Sequence, residues 1–144
     1  MNHEIKQTVT FSCDSKTLFD ILTVSKLHQQ FSGYKAKIEK KEGGAFHVYN
    51  PFIEGYTLKL GKNKLIVQAW RRKDWPEEVF SIVTYKIVPL GKNKTQLKLT
   101  HSGIPARLLT EELKNNWKEY YWKPIKKILA QKAQKPSRVT KKAA

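Results

Sequence analysis

One cysteine, Cys13, stands in 144 residues. No disulfide can form within the chain, and no thiolate metal cluster or Cys-x-x-Cys redox motif is available. The four histidines, His3, His28, His47 and His101, show no ligand spacing, so no metal site is expected. Long apolar runs are missing too, and nothing approaches the roughly 20 residues of a membrane span. The opening MNHEIKQTVTF has no basic region followed by an apolar stretch, so it does not read as a secretory signal. These absences together place the expected protein, soluble, in the cytoplasm. There is no G-x-S-x-G, no glycine-rich phosphate loop, no pair of neighbouring carboxylates and no triad. Glu54, Asp74 and His101 are the only groups that could bring acid–base chemistry to a cavity. The chain therefore reads as a non-enzymatic binding module with no expected cofactor.

Acidic residues are scarce: 12 against 28 basic ones, for a net charge of +16. The excess is uneven. Lys123 to Ala144 carries eight basic residues and no acidic one, so half of it lies in the last 22 residues. The segment 135–144, KPSRVTKKAA, has no periodicity and reads as a basic flexible tail behind a single domain of residues 1–134. Such a tail attracts polyanions. No recognition helix or RNA-binding signature accompanies it, so nucleic-acid binding through it would be weak, non-specific and lost with salt.

Hydrophobic residues make up 40% and aromatic residues 11%. A domain of this size buries roughly 70% of its unfolded surface, enough for one core. Glu4–Ser12 alternates, with Ile5, Gln7, Val9 and Phe11 on one side. Asp14 or Ser15 caps a short helix to Thr23, and Ser25 caps a second that Gly33 ends. Strands are then predicted at Tyr34–Lys41, Ala45–Asn50 (with Pro51 ending it or beside a bulge), Tyr56–Leu60, Leu65–Arg71, Glu78–Val88 and Thr95–His101. Gly43-Gly44, Gly61-Lys62-Asn63 and Gly91-Lys92-Asn93 supply turns. In the fifth of these strands Val79, Ser81, Val83, Tyr85 and Ile87 share a face.

The last element is a long helix capped by Thr110. Glu111 and Glu112 suit the positive end of its dipole. Leu113, Trp117, Tyr120, Tyr121, Ile125, Ile128 and Leu129 form its apolar stripe. Pro124 removes one backbone hydrogen bond and is expected to kink the helix near Tyr120. Trp122 lies about 100° from Tyr121, so at least one aromatic must reach the surface. A helix over 110–134 spans about 37 Å, enough to cross six or seven strands at about 4.8 Å each. The predicted fold is α+β and of helix-grip type. A curved antiparallel sheet of six to seven strands wraps a long C-terminal helix, and two short helices follow strand 1.

Four segments in one order carry a resemblance: GGAF at Gly43–Phe46, KLIVQAWRRKDWP at Lys64–Pro76, HSGIP at His101–Pro105 and LKNNWKEYYWKPIKKIL at Leu113–Leu129. Together they resemble the SRPBCC (START-like or Bet v 1-like) superfamily, in the branch of the C-terminal domain of the Hsp90 ATPase activator. The resemblance implies a helix-grip fold and an Hsp90-type chaperone, or another acidic protein, as partner. It also implies that catalysis is possible, since some superfamily members are cyclases or hydrolases. The co-chaperone's separate N-terminal domain has no counterpart in this sequence.

Two binding readings follow. A sheet curled around one helix leaves room for an apolar or amphipathic small molecule, provided more than about 150 Å³ stays open. Phe46, Val48, Trp70, Ser81, Val83, Tyr85 and Leu99 would line it from the sheet, with His101 as a polar group and Trp117 and Tyr121 from the helix. His101 reads first as a hydrogen-bonded structural histidine beside the Gly103-Ile104-Pro105 turn, with the ligand-facing role as the alternative. Alternatively, Arg71, Arg72 and Trp75 form a partner-binding corner, since Trp and Arg dominate hot spots. The same residues also read as a packed corner with an arginine on an indole.

Overall fold

The computed structural model describes residues 4–50 and 52–132. The expected helix end at Gln134, the tail and Pro51 lie outside them. Seven strands form one antiparallel sheet: β1 (Ile5–Phe11), β2 (Lys37–Ile38), β3 (Ala45–Val48), β4 (Ile53–Gly61), β5 (Leu65–Arg72), β6 (Ser81–Gly91) and β7 (Lys94–Ser102). Their order is β1-β7-β6-β5-β4-β3-β2. Strands β2 to β7 are a meander, and β1 returns to pair with β7. Bulges at Thr57/Lys59 and Pro89/Gly91 add curvature.

Helices α1 (Ser15–Thr23) and α2 (Ser25–Ser32) follow β1. Asp14 caps α1 through the Thr17 N–H, and Gly33 ends α2 in the left-handed conformation. Ser25 does not cap α2. Its hydroxyl accepts from the Ile38 N–H at 2.8 Å, and Gln29 Oε1 accepts from the Ala36 N–H at 3.0 Å. Side chains of α2 thus hold the outer edge of β2, and the expected strand Tyr34–Lys41 shrinks to two residues because the Glu39 carboxylate takes the Ala45 N–H at 2.8 Å at one end and the partner strand turns away at Tyr49–Asn50 at the other. Similarly, β3 ends at Val48 because Tyr49 and Asn50 adopt positive φ and reverse the chain.

Helix α3 (Glu111–Trp117) is capped by the Thr110 hydroxyl, which accepts from the Leu113 N–H at 3.0 Å. It continues through a π turn at Lys118–Trp122 into helical residues 123–132. The expected irregularity near Tyr120 is therefore a π turn. Pro124 has no N–H to offer the Tyr120 carbonyl, and the Lys123 N–H bonds back to the Lys118 carbonyl instead. The Tyr49 hydroxyl donates to the Tyr120 carbonyl left free. The extra residue in the turn also settles the aromatic order. Trp117 and Trp122, five apart, stack with centroids 5.7 Å apart. Trp122 and Tyr121 are both buried, and Tyr120 is the aromatic that reaches solvent. The expected membership of Tyr120 in the core stripe is corrected accordingly.

The core lies between the concave sheet face and this helix, with Trp117, Phe11, Phe46, Ile66, Leu97, Leu99 and Ile125 fully enclosed. Gly55 on β4 faces inward where a Cβ would meet the Ala69 carbonyl oxygen at 1.8 Å and the Phe46 ring at 3.0 Å. Its lack of a side chain lets the Phe46 ring lie across β4. Gln7 ties β1 to the helix: its amide oxygen accepts from Trp122 Nε1 at 2.6 Å and its amide nitrogen donates to the Lys114 carbonyl at 3.0 Å.

Candidate functional site

Beneath the centre of the sheet the interior is filled by a polar chain set in aromatic rings. Trp117 Nε1 can only donate, and it donates to His101 Nδ1 at 3.1 Å. His101 therefore carries its proton on Nε2, which donates to Ser81 Oγ at 2.7 Å. Ser81 Oγ in turn donates to the Trp70 carbonyl at 2.8 Å. Every group in the chain is satisfied, and His101 is fully buried. Burial lowers the His101 pKa to about 3, so the ring is neutral. Its placement is that of a structural histidine joining β6, β7 and the helix.

The open space lies at one end instead, between the turn after β3, strands β4 and β5, and the first turns of the helix. It is a cleft of about 380 Å³, larger than the threshold set by the sequence. Of the ten residues expected to line a ligand cavity, Trp70, Trp117 and Tyr121 do so. Phe46, Val48, Ser81, Val83, Tyr85, Leu99 and His101 are packed in the core. That correction follows from the four indoles and their neighbours filling the middle of the grip.

The cleft floor is aromatic. Trp70 and Trp117 lie 5.7 Å apart and Trp117 and Tyr121 4.6 Å apart. Burial pushes the Tyr121 hydroxyl pKa up, opposed by the Tyr85 hydroxyl and the Trp70 indole N–H that face its oxygen. The Trp70 approach falls short of hydrogen-bond geometry, and its buried Nε1–H has no partner. Tyr34, Phe52 and Tyr120, all well exposed, stand at the mouth around Tyr49.

Arg72, Glu112 and Asn116 give the mouth its polar groups. Arg72 donates twice to Asp74, at 3.0 and 2.7 Å, and its guanidinium lies 5.0 Å over the Phe52 ring. Hydrogen bonding from Arg72 holds the Asp74 carboxyl below the usual carboxylate range. Glu112 stands 3.8 Å from the same guanidinium.

Arg71 and Trp75 are buried, which corrects their expected place on an accessible partner-binding corner. The Arg71 guanidinium donates to Glu54 at 2.5 Å and to the Trp75 and Pro76 carbonyls at 2.7 and 3.2 Å. It clamps the turn after β5. The arginines pack on Phe80 and Phe52, not on an indole, while Trp75 meets Trp70 edge-on at 5.6 Å. The three groups singled out for acid–base chemistry are thus engaged: Glu54 by Arg71, Asp74 by Arg72 and His101 by Ser81 and Trp117.

Sequence reasoning missed Tyr34, Tyr49, Phe52 and Ile53 in the cleft wall. The signal for Tyr49 and Phe52 lay in two aromatics close together after β3, but the positive φ of Tyr49 and Asn50 decides which way they point.

The model of the family described as "Activator of Hsp90 ATPase homolog 1-like protein" matches residues 12–130. The chain belongs to this family. It is 33% identical over 127 residues to the mouse activator of 90 kDa heat shock protein ATPase homolog 2, covering 88% of this chain and 38% of that protein. The human homolog 1 is 34% identical over 118 residues, covering 81% and 34%. The chain thus spans about a third of the length of these curated relatives. A crystal structure of an Hsp90 activator from Plasmodium falciparum superposes with a TM-score of 0.83 at 30% identity, covering 88% of this chain and 96% of that one. Membership carries with it the Bet v 1-like fold reached above from the elements.

Proposed function

We propose that this chain is a co-chaperone-type domain that binds an Hsp90-type chaperone and stimulates its ATPase. The observation that supports it most is the likeness to the Plasmodium activator, a chain of nearly the same extent. That likeness covers 88% of this chain and 96% of that one. The mouse and human activators match over 127 and 118 residues, which are 38% and 34% of their own lengths. The test is the steady-state ATPase rate of the source organism's Hsp90 with and without this protein, alongside calorimetry at low salt. Saturable binding with a raised rate supports the proposal. Absence of binding at low salt refutes it.

The cleft supports a second activity, the holding of an apolar or amphipathic small molecule. Its volume falls in the range of small-molecule sites, and its aromatic floor with one unpartnered donor suits an apolar body bearing an acceptor oxygen. Titration with 2-naphthoate, followed by quenching of Trp70 and Trp117, tests it. Saturation that weakens in Trp70→Phe supports this reading, and no quenching up to millimolar probe refutes it.

A further inference from the structure

Among the described residues none packs over the outer face of the sheet, although it carries both apolar and charged groups in an ordered array. Tyr56, Leu58 and Phe80 are 52%, 49% and 40% exposed. Tyr56 pairs with Ala69, and Ala69 with Ile82, across β4, β5 and β6. Phe80 lies 6.4 Å from Tyr56. One row along, Lys59 pairs with Val67, and Val67 with Thr84. The next row sets Lys86 of β6 directly opposite Lys98 of β7. Both lysines are exposed, and among the described residues no carboxylate forms an ion pair with either.

Like charges directly opposite on a sheet destabilise it. A pair of lysines here costs stability that a carboxylate brought between them restores, and two rows away lies an apolar strip that water wets. Both costs are removed by one kind of occupant. We propose that the outer face of β4–β7 is the surface on which the chaperone docks, through an acidic segment that also presents apolar side chains. This rests on the co-chaperone reading above and adds the surface and the chemistry of the contact.

Size fits. Strands β4 to β7 have 9, 8, 11 and 9 residues, about 30 Å on average, and four strands span about 19 Å. The face is therefore about 580 Å², most of the roughly 800 Å² each partner contributes to a specific complex. A second copy of this chain fits poorly, since it brings the same lysines and another +16 of charge.

The test uses the full chain and the Hsp90 of its source organism, with affinity measured by calorimetry at low salt. Lys86→Glu replaces the like-charge pair by an opposite one. It is expected to raise the melting temperature by roughly 2 °C while weakening chaperone binding by about tenfold or more. Tyr56→Ser with Phe80→Ser is expected to weaken binding by about tenfold with the fold retained by circular dichroism. Lys37→Glu, an exposed lysine on β2 outside this face, makes the same change in net charge and is expected to leave affinity within about twofold. Wild-type affinity in Lys86→Glu, or an equal loss in Lys37→Glu, overturns the docking face and leaves the co-chaperone reading standing. Failure of the wild-type protein to bind overturns both.

Discussion

Moving the protein from pH 7 to pH 5 is expected to remove about 4 kcal/mol of its stability. The cause is two histidines folded into the core as neutral rings. His28 and His101 are each 3% exposed or less. Burial lowers both pKa values to about 3, against about 6.5 in an unfolded chain. Between those values the unfolded chain takes up protons that the folded one refuses. Each ring therefore withdraws about 1.4 kcal/mol per pH unit once the pH falls below about 6.5, or about 2 kcal/mol by pH 5. The carboxylates with depressed values, Asp14, Asp20 and Asp74, act in a lower window. Their contribution is fully present above the unfolded value near 3.9 and is lost as the pH drops below it. Urea unfolding followed by tryptophan fluorescence at pH 7 and pH 5 measures the difference. His28→Leu separates the two rings. His28 Nδ1 has no partner, and its neighbours are the Phe31, Tyr49 and Tyr121 rings, so leucine removes a titration and little else. The drop is then expected to halve. Equal stability at the two pH values, or a full drop in His28→Leu, would refute the reasoning.

Other substitutions probe the packing. Tyr49→Phe leaves the Tyr120 carbonyl without the donor that Pro124 cannot supply and open to water, and is expected to cost about 0.5–1.5 kcal/mol by urea unfolding. Gly55→Ala drives a methyl into the Ala69 carbonyl and the Phe46 ring, and is expected to cost about 3 kcal/mol or to abolish soluble expression. Deleting Lys135–Ala144 is expected to abolish any binding to mixed-sequence DNA in a gel-shift assay at low salt while leaving chaperone affinity within about threefold.

Periodicity made most of the architecture legible. Ser81, Val83, Tyr85 and Ile87 do share the buried face of β6, and Thr110 does cap the last helix. What failed were features decided at a distance. The strand expected at Tyr34–Lys41 is cut short by the Glu39 carboxylate on the Ala45 N–H and by the Tyr49–Asn50 turn of its partner strand. The π turn at Lys118–Trp122 is visible in the sequence only as a proline, so Tyr120 reads as core and the aromatic that reaches solvent stays open. The candidate site was harder still. Alternation correctly turned Phe46, Val83 and Leu99 inward, but facing inward does not distinguish a filled core from a cavity wall. That depends on whether indoles such as Trp117 close the space, which is a matter of rotamers and of the extra residue in the π turn. The cleft opened where the Tyr49–Asn50 reversal and the arginine-clamped turn after β5 keep the chain apart from the helix.

The most direct test is the ATPase rate of the source organism's Hsp90, titrated with this protein at low salt. A saturable rise, weakened in Lys86→Glu and unchanged in Lys37→Glu, is the expected result. A flat titration with no detectable binding would contradict the account.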